Sequence, residues 1–284
     1  AFAKEVMRTL KDEELMQSCG AMPLLMFESV SDPRFSHAYA KLYSAKQKIL
    51  RNIAGLFKEE LLGLYAKYAE TLPKNGFCPG VLSAQFKRNA VRNLILTILA
   101  ALDSADVQEL ISTQYHTAES ATVRLSALSL YLSSSAADRR ELLVEELARS
   151  ASHPLAFENC IAAAANTARD TVSYLRMIEE SPMFHIEQAG EARALYLRFA
   201  QNRKVSLETE EGREFLAESI IRLAKVNAYI TTGMLSVFSH MHEAEETERA
   251  VQRNLLSRIA ERVSAKESPA VYQTLQQIMT ATKE

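Results

Sequence analysis

Apolar residues recur along this chain at intervals of three and four positions, with polar residues between them. Within residues 33–68, Leu50, Ile53 and Phe57 follow this spacing, which places them on one face of an α-helix. The pattern predicts a long helical stretch there and, before it, a short helix that follows Leu10 and Asp12 and stops near Gly20. No segment alternates apolar and polar residues as a half-buried β-strand does.

The same helical pattern continues beyond one cluster of helix-breaking residues, which occupies 73–80 and contains two prolines and two glycines. Ser, Thr or Asp precedes many of the later segments, and Pro stands in the first turn of others, as at helix N-termini. The predicted helices cover 83–102, a segment capped by Ser104, 120–133, 138–150, 154–165, 167–180, 188–202, 209–226, 229–242, 246–263 and 269–280.

The connectors between these helices are two to six residues long, which forces consecutive helices to lie antiparallel. A dozen such helices cannot all surround one core in a simple bundle. The sequence therefore predicts an all-α fold of antiparallel helix pairs stacked as an irregular HEAT/armadillo-like α-solenoid, without a tetratricopeptide or ankyrin signature. We expect one helical domain over 1–284, with subregions 1–72 and 83–284 joined by the loop at 73–80.

The composition excludes several classes of function. The chain has 8 glycines, 7 prolines and no tryptophan among its 284 residues. So few glycines and prolines cannot supply the turns of a hairpin-rich β fold. The net charge of −2 gives no clustered basic excess, so we expect no binding to nucleic acid. The apolar stretch at 94–102 is too short to span a bilayer, so we expect no membrane segment. Cys19, Cys78 and Cys160 form no C-x-x-C pair, which favours reduced thiols and a cytoplasmic location.

One local motif resembles a metal site but lacks the required spacing. Zinc peptidases of the H-E-x-x-H type need histidines four positions apart on one helix face, and the position after His242-Glu243 that would complete the motif is Glu246. His240 and His242 are two positions apart and would point to different sides of a helix. The other histidines are scattered, and no nucleophile loop or phosphate-binding loop occurs. We therefore expect no catalytic residue, metal or cofactor in this chain.

Three segments resemble the helical C-terminal domain of the aminopeptidase N family, which are zinc metallo-aminopeptidases of the gluzincin class. Residues 90–99 are similar to the family's A-L-[KR]-N-x-x-L-x-x-L helix. Residues 114–128 are close to its A-x-x-M-T-x-R-L-x-A-L segment with the preceding Q-Y, and residues 182–227 follow the family without a gap. Together with the opening helices at 36–68, the resemblance covers most of the chain, as a divergent member.

The departures from the family pattern lie where its loops face the substrate channel. The family's D-K-W-F is replaced at 158–161, and its F-H-x-x-D-G-x-G-Y is replaced at 205–213. Its Asn-Pro becomes Asn227-Ala228, and the position of a channel-lining arginine falls on Gly233. Arg193 and Asn227 are the polar, family-matching positions left as substrate-channel candidates, although a packing or helix-capping role suits each of them.

The resemblance implies that this chain is a non-catalytic C-terminal piece of a larger enzyme that removes N-terminal residues from peptides. The zinc would belong to a preceding catalytic domain, which would also be the intramolecular partner of this one, and peptides would be the substrates. The helical domain would cover the active site and shape the substrate channel, and an apolar patch on its surface would mark where it docks. Two alternatives remain open: a HEAT/armadillo-like scaffold for protein partners, and a helical enzyme whose site forms from scattered residues.

Overall fold

The computed structural model describes residues 1–19, 38–70 and 79–281, and these residues form helices and short connections with no β-strand among them. The chain divides into two compact units, residues 1–30 with 41–136 and residues 31–40 with 137–284. The predicted all-α fold is confirmed, with consecutive helices packed pairwise as in a solenoid. The predicted loop at 73–80 lies mostly outside the described residues, and the organisation as one domain stays a prediction.

The first unit contains seven helices among its described residues. They are α1 (Phe2–Lys11), α2 (Glu13–Cys19), α3 (Tyr39–Leu56, whose first two residues belong to the second unit), α4 (Lys58–Ala69), α5 (Pro79–Ala100), α6 (Ala105–Thr117) and α7 (Ala121–Leu132). The long helix α5 lies at the centre, in contact with α2, α4, α6 and α7. It buries six apolar side chains, which are Val91, Leu94, Ile95, Leu96, Ile98 and Leu99.

The second unit also consists of helices packed against one another. Its elements are α8 (Arg139–Ser150), α9 (Pro154–Ala165), α10 (Thr171–Glu179), α11 (Ala189–Ala192, a π-helical turn Arg193–Leu197, and Arg198–Gln201), α12 (Arg203–Ser206), α13 (Glu210–Leu223), α14 (Ala228–Leu235), the 3-10 turns Ser236–Phe238 and Met241–Glu243, α15 (Glu246–Arg262) and α16 (Pro269–Ala281). Helix α9 packs against α8, α10 and α11, and α13 packs against α12, α14 and α15. The fully buried Phe199 and Phe215 meet edge to face, with ring centroids 5.0 Å apart, and fix α11 against α13.

The short helix predicted after Leu10 and Asp12 is present as α2, but the prediction missed the helix α1 before it and the break within the long helical stretch. Between α1 and α2, Asp12 adopts an extended conformation, and its Oδ1 accepts a hydrogen bond from the Leu15 amide at 3.0 Å. This side chain therefore caps α2. The stretch predicted over 33–68 divides at Phe57, whose φ of −130° interrupts the helix, although the apolar spacing continues across the break.

Other predicted boundaries shifted for local reasons. The helix expected from 83 begins four residues earlier, at Pro79, whose missing amide is no loss in a first turn. The helix expected from 167 begins at Thr171, because Asp170 takes a left-handed conformation with φ of 50°. The segment expected over 229–242 is α-helical only to Leu235 and then continues as two 3-10 turns.

Candidate functional site

The two predicted channel residues lie on helices that pack against each other in the second unit. Arg193 is exposed and opens the π-helical turn of α11, and Asn227 is the residue immediately before α14. The α14 helix packs on that π-helical turn. A π-helical turn inside an α-helix widens it by one residue and is often found at functional sites.

Asn227 has a structural role in this arrangement. Its Oδ1 accepts a hydrogen bond from the Ile230 amide at 3.1 Å, and its backbone carbonyl accepts one from Thr231 Oγ1 at 2.8 Å. The side chain thus satisfies one of the amides that the start of α14 leaves unbonded. The helix-capping role considered for Asn227 is therefore present, and its role at a substrate channel stays a prediction.

The position of the family's channel arginine lies at the contact between the same two helices. A Cβ on Gly233 would stand 3.2 Å from Leu197 Cδ1, in the π-helical turn. A longer side chain at position 233 would have to displace Leu197 or turn away from it. The glycine at this departure from the family pattern therefore fits the close packing of α14 on α11.

The divergent segment 205–213 is held by charged and polar contacts. Arg203 pairs with Glu248 at 2.6 Å and with Glu208 at 3.4 Å, and Arg213 donates a hydrogen bond to the Leu207 carbonyl at 2.7 Å. Burial raises the pKa of Glu208 above its ordinary value, and the negative charge of Glu248 adds to the rise while Arg203 opposes it. Two carboxylates therefore share one guanidinium beside this segment.

A buried polar cluster in the first unit was not anticipated as a unit from the sequence. The Tyr65 hydroxyl donates to Gln114 Oε1 at 2.8 Å and accepts from Arg92 at 3.0 Å. Gln114 Nε2 in turn donates to Asn93 Oδ1 at 3.0 Å and to the Val123 carbonyl at 3.3 Å. Arg92, Asn93 and Gln114 are polar positions of the first two family-like segments, so their pattern was the available signal. The whole cluster, including Tyr65 and Val123, joins four helices, α4 to α7.

A second polar group that the sequence reasoning missed lies in the second unit. Tyr196 is only 1% exposed, and its hydroxyl accepts a hydrogen bond at 2.9 Å from Arg222, which also pairs with Glu179. Burial is the main reason that the pKa of Tyr196 rises well above its usual value, with the Glu179 charge second. The phenol therefore stays protonated and acts as a hydrogen-bonding partner between α10, α11 and α13.

The rejected histidine motif lies on a 3-10 turn instead of an α-helix. His240 Nδ1 and His242 Nε2 lie 3.5 Å and 3.7 Å from the same Glu243 oxygen. Within residues 1–19, 38–70 and 79–281, no three His, Cys, Asp or Glu side chains are grouped so as to hold a metal ion. Cys19 is exposed and Cys160 is buried, neither forms a disulfide bond among the described residues, and Cys78 lies outside them.

Comparison with known proteins identifies the kind of domain. The family described as "Domain of unknown function (DUF3458_C) ARM repeats" matches residues 1–279. No curated protein matches the chain. Among solved structures, the chain is similar to the crystal structure of Legionella pneumophila aminopeptidase A in complex with aspartic acid, with a TM-score of 0.73 and 17% sequence identity.

The similarity covers 86% of this chain and 29% of the Legionella chain, so the chain spans less than a third of that aminopeptidase. At this sequence identity the similarity shows the fold alone. Separately, no helix in the described part of the chain is long and apolar enough to cross a membrane. The recognition of an aminopeptidase-type helical domain in the sequence is confirmed. With its family model matched over nearly the whole chain, this protein belongs to the DUF3458_C family of ARM-repeat domains.

Proposed function

We propose that this chain is the helical, non-catalytic domain of a longer zinc aminopeptidase, where it covers the active site and shapes the channel that peptides enter. One observation carries the proposal. Most of the chain superposes on a part of an aminopeptidase, yet it spans only 29% of that enzyme. In this proposal the intramolecular partner is a catalytic domain elsewhere in the longer polypeptide, the substrates are peptides, and the enzyme is cytoplasmic.

The zinc ion belongs, in this proposal, to that catalytic domain. A bound zinc supplies a water of lowered pKa as the nucleophile for peptide hydrolysis. The histidine and glutamate residues closest to a zinc motif here do not fit such a site, since His240 and His242 both face the carboxylate of Glu243 on a 3-10 turn. The contribution assigned to these 284 residues is steric and electrostatic.

Arg193 and Asn227 are the residues we assign to the channel wall. Arg193 is exposed on the π-helical turn of α11, and the packing of α14 on this turn brings the two helix segments together. A guanidinium can bind a peptide carboxylate or carbonyl group. Tyr229, 79% exposed in the first turn of α14, presents an aromatic ring beside Asn227 for apolar side chains of a peptide.

The proposal is tested on the complete reading frame that contains these residues. The full-length protein should hydrolyse aminoacyl and peptide substrates and contain about one zinc per chain. The separate 284-residue chain, at the same concentration, should do neither. Hydrolysis with stoichiometric zinc in the separate chain would overturn the proposal, and so would a full-length protein that contains no zinc motif and hydrolyses no peptide. That second result favours the scaffold for protein partners.

A further inference from the structure

The N-terminal helix and the end of α3 enclose a groove in the first unit. It has a volume of about 610 Å3 and is lined by Ala1, Phe2, Ala3, Lys4, Lys48, Ile49, Asn52, Ile53, Leu56 and Phe57. Ile49, Ile53 and Leu56 are spaced by four and three positions, so they share one face of α3. We call this feature the α1–α3 groove.

Apolar side chains of the α1–α3 groove are exposed to an unusual degree. Leu56 is 63% exposed, Phe2 54% and Ile49 37%, although Ile53 at the floor is only 1% exposed. A large exposed apolar side chain alone is ordinary, but three around one concave surface are typical of a contact with another protein surface. The remaining faces of the same two helices are used inside the unit, since Val6, Met7 and Leu10 of α1 are buried.

The charges at the rim of the α1–α3 groove indicate the chemistry of the occupant. Lys4 and Lys48 are exposed, and neither pairs with a carboxylate in the described part of the chain. The next basic residues along α1 differ from them, because Arg8 pairs with Glu5 and Lys11 with Glu60. An occupant that inserts apolar side chains and carries carboxylates at its edge would complement both properties of the groove.

We propose that the α1–α3 groove is the docking surface for the rest of the longer polypeptide, through a segment with apolar side chains flanked by Asp or Glu. The inference rests on the proposed function, which supplies a domain beyond these 284 residues. It is supported by the size of the aligned aminopeptidase, of which this chain spans 29%, and by the exposed apolar side chains and basic rim of the groove, which such a segment would complement. Leu56 and Ile49 are the apolar anchors, and Lys48 guides the carboxylates to them.

Chemical cross-linking in the full-length protein tests this proposal by identifying the carboxylates that lie next to the rim lysines. A carbodiimide condenses a lysine amine with an adjacent carboxylate to an amide, with loss of water and no spacer. Mass spectrometry should then find cross-links from Lys4 or Lys48 to Asp or Glu residues outside the 284 residues. Lys266, which is exposed in the second unit, is the comparison lysine and should give no such product.

A pair of variants tests the apolar part of the contact. Leu56→Asn, which adds no carboxylate beside Lys48, should lower the yield of the Lys48 cross-link about tenfold, as expected when an interface loses a central anchor. Leu155→Asn is the matched control, because Leu155 is 71% exposed on α9 and is not among the residues that line the groove, and its yield should equal that of the unaltered protein. An equal yield in both variants would overturn the assignment of Leu56.

The remaining outcomes separate this inference from the proposed function. Cross-links to the rest of the polypeptide from Lys266 but not from Lys4 or Lys48 would overturn the docking surface and leave the peptidase proposal intact. Lys48 cross-links only to carboxylates within the 284 residues would do the same. Cross-links between isotopically labelled and unlabelled chains would identify a second copy as the occupant and overturn the inference. Peptide hydrolysis by the same preparation, measured separately, decides the proposed function.

Discussion

The backbone carbonyl of Val205 lies where a side chain on Gly212 would have to be. A Cβ built on Gly212 would stand 1.9 Å from this oxygen, which is far inside any allowed contact. The same carbonyl accepts a hydrogen bond from Thr209 Oγ1 at 2.8 Å, and this hydroxyl caps α13 by accepting from the Gly212 amide at 3.0 Å. Position 212 is therefore restricted to glycine by a close approach of two backbone segments.

We expect Gly212→Ala to destabilise the 284-residue chain by about 2–3 kcal/mol, because the segment at 205–209 must move away and lose its hydrogen bonds. Urea unfolding followed by circular dichroism measures the effect. Gly63→Ala is the control: Gly63 is exposed inside α4 with no atom within 4 Å of an added Cβ, so alanine there should stabilise by about 0.5–1 kcal/mol. Equal effects of the two substitutions would contradict the close approach.

The polar cluster around Gln114 makes a second prediction about stability. Gln114 is fully buried and bonds Tyr65, Asn93 and the Val123 carbonyl, so Gln114→Leu removes one hydrogen bond from each of three polar groups in the interior. The loss should be about 2–4 kcal/mol, measured as the change in free energy of unfolding. Gln277→Leu, at an exposed position of α16, should change it by less than about 0.5 kcal/mol.

A double-mutant cycle tests whether this cluster acts as one network. Tyr65→Phe removes the hydroxyl that donates to Gln114 at 2.8 Å. If the two residues are coupled, the double variant should lose less stability than the sum of the single variants, by about 1 kcal/mol. Strict additivity of the two losses would show that the hydrogen bond contributes nothing of its own.

Local signals in the sequence were sufficient for most of the helices. The helix predicted over 154–165 was found with those bounds, since Pro154 stands in its first turn, and Ser120 caps α7 by accepting from the Val123 amide at 3.3 Å. Such caps and turns depend on residues within one or two turns of each other. Predictions from the sequence pattern therefore agreed with the structure where the contacts that set a helix boundary were local.

The features that the sequence did not reveal depend on distant or cooperative contacts. Tyr65 and Gln114 are 49 positions apart, and nothing near either residue indicates the other. The break at Phe57 falls within continuous apolar periodicity, and the π-helical turn at Arg193 has no composition that distinguishes it from α-helix. The local conformation at such positions depends on close packing between helices, as at Gly233 and Leu197. The spacing of apolar residues in the sequence does not indicate this packing.

Glu208 should give the chain a characteristic pH dependence. Its pKa is raised in the folded state, mainly by burial, so the folded chain binds this proton more tightly than the unfolded chain does. The associated stability is therefore fully present below the ordinary pKa of 4.5 and is lost as the pH rises through the higher folded value. Glu208→Gln should thus gain stability relative to the unaltered chain as the pH increases from 4 to 7.

Glu214 provides the opposite case and serves as the control. Its bidentate hydrogen bonds from Arg258, at 2.7 and 2.6 Å, lower its pKa below the ordinary value. The stability that it contributes is present above that ordinary value and is lost as the pH falls through the folded one. Relative to the unaltered chain, Glu214→Gln should therefore lose stability as the pH increases from the lowered folded value to above 4.5, and urea titrations at pH 3, 4, 5, 6 and 7 measure both slopes. Slopes of the same sign would contradict the assigned environments.

Arg193 and Arg140 allow the proposed channel to be tested without disturbing the fold. Both are exposed, Arg193 on α11 and Arg140 on the different helix α8. Replacing either with alanine should change the free energy of unfolding by less than about 0.5 kcal/mol, as for other exposed positions. In the proposed full-length enzyme, Arg193→Ala should lower kcat/KM for peptides about tenfold, since this proposal places the guanidinium in contact with substrate, and Arg140→Ala should leave it unchanged.

A short substrate distinguishes the channel wall from the catalytic centre in the same pair of variants. In the proposed enzyme, an aminoacyl substrate with a small leaving group would end close to the zinc and would not extend along the channel wall, so Arg193→Ala should hydrolyse it at the unaltered rate. The loss should therefore appear for peptides of several residues and be absent for the short substrate. If Arg193→Ala impairs both substrates equally, or neither, position 193 is not part of the wall, and the exposed arginine on the π-helical turn has no role in selecting peptides.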